Sequence, residues 1–137
     1  NCVFANNATL AGHVEVGDWA ILGGLAAVHQ WSRIGCHSFI GGLAAVTRDL
    51  LPFGMAVGNR ANLEGINLIG MRRRNFSKSE IDEVKKVYSI LFNANDLEFK
   101  NKINKLKEEK FSSDPAKIIT DFVNVETSRA YVSPTEI

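Results

Sequence analysis

The sequence has no apolar run approaching the ~20 residues of a membrane span. No secretory leader pattern is visible at its start. Cysteine is scarce: Cys2 and Cys36 are the only two in 137 residues. That is too few for a disulfide framework, and it fits a reducing, cytoplasmic setting. Charge is thin in the first 50 residues, where Arg33 and Arg48 stand against Glu15, Asp18 and Asp49. Most of the 16 basic and 15 acidic residues lie further on, and the net charge of +1 gives no footing for a nucleic-acid partner. An uneven distribution of this kind marks a change of architecture along the chain.

What the first 50 residues do have is a period. Every sixth residue from Phe4 is large and apolar: Phe4, Leu10, Val16, Leu22, Val28, Ile34, Ile40 and Val46. Four residues after each of the first seven stands a smaller one: Ala8, Val14, Ala20, Ala26, Ser32, Ser38 and Ala44. Glycine follows the large residue at Gly17, Gly23, Gly35 and Gly41. Six residues of α-helix rotate by ~600°, so a helix would scatter the large positions over different faces. Short strands joined by one corner per hexad would keep them all inside.

The period therefore predicts a parallel β-helix of hexapeptide repeats, with three hexads per coil and coils stacked at roughly 4.8 Å. From the pattern alone its hand is open. The chain lacks an initiator Met and starts inside the patterned segment, so further coils are expected before Asn1.

Residues 1–51 are read as about three coils. Residues 52–76 break the period with Pro52, Gly54, Gly58 and Gly65 and are read as an irregular loop. Residues 77–137 are read as a helical C-terminal domain. Ser77 and Glu80 stand at capping-box spacing before a stripe of Ile81, Val84, Tyr88, Leu91 and Phe92. A second helix is expected from Asp96, with Leu97, Phe99, Ile103 and Leu106 apolar. A third is expected from Asp114-Pro115, with Ile118, Ile119, Phe122 and Val123 buried. The last eight residues read as a tail.

A wrap of 18 residues also assigns columns. Gly12, Gln30 and Arg48 fall in one; His13, Trp31 and Asp49 fall in the next; His29 stands beside Gln30. Thus Gly12, His13, His29 and Gln30 are predicted to cluster on one face, on adjacent rungs, with His37 elsewhere. Exposed corner histidines without a role are one reading. A metal site is a second, but spacings of 16 and 8 between His13, His29 and His37 do not converge three imidazoles. A transferase cleft, needing a base, an oxyanion donor and sugar-binding groups, is the third.

At this point the sequence resembles a family. "NNATLAGHVEVGDWAILGGLAAVHQ", "IGCHSFIGG", "GNRANLEGIN" and "RRRNFS" are similar to segments of the UDP-N-acetylglucosamine acyltransferases of lipid A biosynthesis. The resemblance runs through most of residues 1–92 and thins in the later helices. It implies a left-handed β-helix followed by helices, a cytoplasmic homotrimer, and a cleft between subunits. The implied reaction moves a 3-hydroxyacyl chain from acyl carrier protein to the 3-hydroxyl of UDP-N-acetylglucosamine, with no metal or other cofactor.

By residue, the resemblance implies that the Gly12 N–H is the oxyanion donor. The general base, a histidine, would lie one coil before Gly12 and so upstream of residue 1, leaving the chain inactive on its own. His13, His29, Gln30, Asn67, Arg73 and Arg74 would serve the sugar nucleotide. Gly24 and Gly42 would line the acyl groove, and Lys78, Lys85 and Lys86 would steer the acidic carrier protein. The family often has glutamate two residues after the asparagine that matches Asn67; Ile69 stands there in this chain. A related N-acyltransferase on a UDP-amino-sugar and a non-catalytic trimeric β-helix module remain as alternatives.

Overall fold

The structure is a computed structural model that describes residues 1–93 and 97–135. Two units divide it: Asn1–Asn67 with Ser128–Ile137, and Leu68–Thr127.

The first unit is a parallel β-helix. Its short strands are β1 (Val3–Phe4), β2 (Thr9–Leu10), β3 (Glu15–Val16), β4 (Ile21–Leu22), β5 (Ala27–Val28), β6 (Arg33–Ile34), β7 (Phe39–Ile40) and β8 (Ala45–Val46). They stack into three walls, β1-β4-β7, β2-β5-β8 and β3-β6. Phe4 pairs with Leu22, Leu10 with Val28 and Val16 with Ile34, which is the 18-residue wrap read from the sequence. Leu22, Val28, Ile34, Ile40 and Val46 fill the interior, and Ala20, Ala26, Ser32, Ser38 and Ala44 are buried with them. Phe4 and Leu10 occupy the same inward slots at the end of the stack and are exposed. Gly17 shows why glycine follows the large residue, since a Cβ there would stand 2.5 Å from the Cys36 amide nitrogen on the next rung.

Each corner turns through one residue with positive φ: Asn7, His13, Trp19, Leu25, Trp31, His37 and Leu43, all between 57° and 68°. None is glycine, although non-glycine residues in this region carry strain of order 1–3 kcal/mol each. Rings stack at two of the three corners. At one corner His13 and Trp31 lie 3.9 Å apart and 5° from parallel. At another, Trp19, His37 and Phe53 form a three-ring column.

The wrap then shortens. Val28 pairs with Val46, but Ile34 pairs with Leu50 and Ile40 with Ala56, two residues early. The columns expected to continue through Arg48 and Asp49 therefore stop at Gln30 and Trp31. Asp49 is fully buried. Its carboxylate accepts from the Arg33 amide at 3.0 Å, from Arg33 Nε at 2.7 Å and from Arg129 Nε at 3.0 Å.

Residues 52–76 are not an irregular loop. They hold β9 (Gly54–Val57), which continues the β1-β4-β7 wall, and β10 (Asn62–Ile66), which pairs antiparallel with it. Glycine and proline set the turns of this hairpin but did not reveal its pairing. Nor is the C-terminus a free tail. The Val132 N–H donates to the Asp49 carbonyl at 2.8 Å, and the Leu63 N–H to the Ser133 carbonyl at 3.0 Å. The buried Val132 side chain anchors the segment.

The second unit comprises α1 (Leu68–Arg73), α2 (Lys78–Phe92), α3 (Phe99–Glu108) and α4 (Asp114–Asn124). Ser77 and Glu80 form the expected capping box on α2, whose buried residues are Ile81, Val84, Val87, Tyr88 and Leu91. Asp96, the expected start of α3, lies outside the described residues. On α4 the N-cap is Ser113 rather than Asp114, because the Ser113 hydroxyl accepts from the Ala116 N–H. Pro115, Ala116, Ile119 and Val123 form its buried face, while Ile118, expected inside, is exposed.

The Glu83 carboxylate clamps this helix start to α2, accepting from the amides and hydroxyls of Ser112 and Ser113. Those donors, Ser113 above all, hold the Glu83 carboxyl down at about 2. Among the described residues no helix is long and apolar enough to cross a membrane.

Candidate active site

The corner of His13 and Trp31 carries the densest group of candidate residues. The Trp31 N–H donates to the Gly12 carbonyl at 3.1 Å, locking the two rungs in register. A Cβ built on Gly12 would meet nothing nearer than Gln30 Nε2 at 3.9 Å. Gly12 and Gln30 are therefore neighbours, and the space beside Gly12 is open. His29 Nδ1 lies 3.1 Å from the Gln30 carbonyl oxygen. Gly12, His13, His29 and Gln30 are all exposed. The arrangement offers what a polar ligand at a reacting carbonyl needs: an unobstructed backbone, two imidazoles and a carboxamide.

The other candidates are distributed. Gly24 and Gly42 stack at a different corner, where a Cβ on Gly42 would lie 3.1 Å from the Gly24 carbonyl oxygen. A side chain there would narrow the surface between the rungs. Asn67 is buried at the corner of Trp19, His37 and Phe53; its Nδ2 donates to the His37 carbonyl at 3.0 Å and its N–H to the Phe53 carbonyl at 2.6 Å. The single chain does not bring Asn67 to the His13 corner.

Arg73, Arg74, Lys78, Lys85 and Lys86 belong to the helical unit. Arg73, Lys78 and Lys85 are exposed and Arg74 is partly covered. Lys86 is committed locally, 2.7 Å from Glu109 and 5.7 Å from the Phe111 ring centroid. Its charge is thus partly neutralised by Glu109.

Cys36 is a poor nucleophile, because burial pushes its thiol up to about 11. Among the described residues no three His, Cys, Asp or Glu side chains converge into a metal-sized group.

Two features were missed by sequence reasoning. The positive-φ corners had a signal, since His and Trp each recur at one place in the hexad, with Asn7 at the same place. The cluster of Asp49, Arg33, Arg129 and Tyr131 had none, because Arg129 lies 80 residues from Asp49 and Tyr131 lies 98 from Arg33.

A solenoid of short hexapeptide rungs with a polar corner and a helical second unit defines the class: a left-handed β-helix of the hexapeptide-repeat type. Residues 49–132 match the family profile described as UDP N-acetylglucosamine O-acyltransferase, domain 2. The chain is 42% identical over 134 residues to the acyl-[acyl-carrier-protein]--UDP-N-acetylglucosamine O-acyltransferase of Sinorhizobium fredii, covering 98% of this chain and 49% of that protein. It is 53% identical over 94 residues to the Nautilia profundicola protein of the same name, covering 69% and 36%.

Among solved structures, the UDP-N-acetylglucosamine acyltransferase from Campylobacter jejuni superposes with a TM-score of 0.84 at 36% identity, over 100% of this chain and 52% of that one. The chain belongs to the UDP-N-acetylglucosamine O-acyltransferase family. It spans half or less of the length of these curated relatives.

Proposed function

We propose that the protein carrying this chain transfers a 3-hydroxyacyl group from acyl carrier protein to the 3-hydroxyl of UDP-N-acetylglucosamine, the first step of lipid A synthesis. The observation that carries the reading is the His13 corner, where an unobstructed Gly12 backbone adjoins Gln30, with His13 and His29 on the same exposed corner. In the transition state the thioester carbonyl oxygen becomes negative, and the Gly12 N–H stabilises it; one such donor is worth about 3 kcal/mol in the barrier. The base that deprotonates the sugar hydroxyl is a histidine one rung before Gly12, in sequence preceding residue 1.

His13 and Gln30 hold the sugar, and His29 supports them. Gly24 and Gly42 leave room for the acyl chain. Asn67, Arg73 and Arg74 serve the nucleotide, guanidinium groups being suited to a diphosphate. Lys78 and Lys85, with a smaller share from Lys86, attract the acidic carrier protein. The protein works in the cytoplasm as a homotrimer whose clefts form between copies. The exposed Leu25 and Leu43 at the Gly24–Gly42 corner support association, as does the separation of Asn67 from the His13 corner within one chain.

The test is an acyl-transfer assay with acyl-carrier-protein thioester and UDP-N-acetylglucosamine, run on the chain alone and on the chain with its preceding sequence. Ester product from the longer protein only is expected. Product from neither overturns the function, and turnover by the chain alone overturns the placement of the base. Gly12→Ala in the longer protein keeps the N–H but puts a methyl group where the carbonyl approaches it, and the displacement should lower kcat by about 100-fold. The fold should be unaffected, because Gly12 does not have positive φ and a Cβ fits there.

A further inference from the structure

In the regular part of the solenoid each corner residue donates its N–H to a carbonyl one rung below. Leu25 donates to Asn6, Trp31 to Gly12, His37 to Asp18 and Leu43 to Gly24, at 2.8–3.1 Å. The next donor in this ladder is Asp49 and the next acceptor is Gln30. That rung is missing. The shortened wrap turns the Asp49 N–H to the Ala130 carbonyl at 3.0 Å, and the ladder resumes beyond the break with Phe53 donating to Cys36 at 2.8 Å.

The Gln30 carbonyl, dropped by the ladder, is the one that His29 Nδ1 approaches to 3.1 Å. A carbonyl oxygen only accepts, so the proton in this hydrogen bond sits on Nδ1. A neutral imidazole protonated there presents Nε2 as a lone-pair acceptor.

We infer that the break in the ladder fixes His29 as the Nδ1–H tautomer, so that its Nε2 accepts a hydrogen bond from a hydroxyl of the bound ligand. Arg129 is the positioning residue behind it. Its Nε holds Asp49, and its Nη2 donates to Ser32 Oγ at 2.8 Å and to the Thr47 carbonyl at 3.0 Å. These bonds pin the segment that takes the Asp49 N–H. A chain segment 80 residues from Asp49 thereby sets the protonation pattern of a corner imidazole. The identity of the hydroxyl, on the acceptor sugar, rests on the function proposed above; the tautomer does not.

Two-bond proton–nitrogen spectra of the 15N-labelled protein read the tautomer directly. They are recorded at about pH 8, above the ordinary titration range of imidazole, with His29→Asn used to assign the signal. The wild-type protein should show His29 predominantly as Nδ1–H. Arg129→Ala, and independently Val132→Pro, which removes the N–H bonded to the Asp49 carbonyl, should move the ratio roughly five- to tenfold toward Nε2–H. The His37 signals, at another corner, should be unchanged. A wild-type His29 protonated on Nε2 overturns the inference outright. Retention of the wild-type ratio in either folded variant overturns the role of the C-terminal segment.

In the protein with its preceding sequence, saturation with UDP-N-acetylglucosamine should shift the His29 Nε2 resonance. Binding without that shift overturns the hydroxyl contact. Failure of the nucleotide to bind refutes the proposed function and leaves the tautomer assignment standing.

Discussion

Two corners of the same solenoid are built from similar residues and end differently. Trp19, His37 and Phe53 stack through three rungs, and Asn67 closes that corner by bonding the His37 carbonyl. His13 and Trp31 stack through two rungs only, after which the wrap loses two residues and a carboxylate takes over. The unbroken corner turns the Asn67 amide back on its own backbone. At the broken one His29 stays in the ladder through its N–H to Val46, while the Gln30 carbonyl meets His29 Nδ1 and both side chains are exposed. Identical repeats give a wall; the place where the repeat fails is where polar chemistry concentrates.

The sharpest way to break the comparison is to overfill each corner in turn. A Cβ on Gly35 would run into the Pro52 backbone, whereas one on Gly12 meets nothing closer than 3.9 Å. Gly35→Ala should cost about 3 kcal/mol and Gly12→Ala almost none, as measured by urea unfolding.

Asp49→Ala tests the carboxylate that replaces the missing rung. Removing it strands Arg33 and Arg129, each less than a quarter exposed, at a cost of about 3 kcal/mol, and should release residues 128–133 to proteolysis. A smaller loss, about 1 kcal/mol, is expected for Trp31→Ala, which removes only the stack on His13.

The mildest effect lies in the helical unit, which serves as the control. Glu83 has its carboxyl lowered from 4.5 to about 2, so its contribution is complete above the unfolded value and is lost as pH falls through the folded one. Glu83→Gln should flatten the pH dependence of stability of this unit between about pH 5 and pH 2, leaving the solenoid's acid response as it was.

The repeat was legible because a hexad states its own geometry: the large residue faces in, the small one closes the corner, and glycine lets rungs approach. The Gly12–Gln30 neighbourhood follows from counting by 18, and the structure places the two side by side. Counting failed at Asp49, because a two-residue shortening leaves no mark among Val46, Thr47, Arg48 and Asp49 that differs from an ordinary corner. The hairpin β9–β10 was hidden for a related reason. Its strands pair with a wall and with each other; Gly58 announces a turn without saying what it joins, and Gly65 sits at a bulge inside β10. The C-terminal segment was misread as a tail because its anchor, Val132, is a single apolar residue, and the bonds of Ala130, Val132 and Ser133 join backbone to backbone.

The distance along the chain between Asp49 and Arg129 has a consequence for biosynthesis. On the ribosome the solenoid rungs emerge first, and 80 residues separate the buried carboxylate from its second guanidinium. At 5–20 residues per second that is a wait of roughly ten seconds. Through that interval the nascent protein carries a half-neutralised acid at an unfinished seam, which closes only when Arg129 and its neighbours emerge.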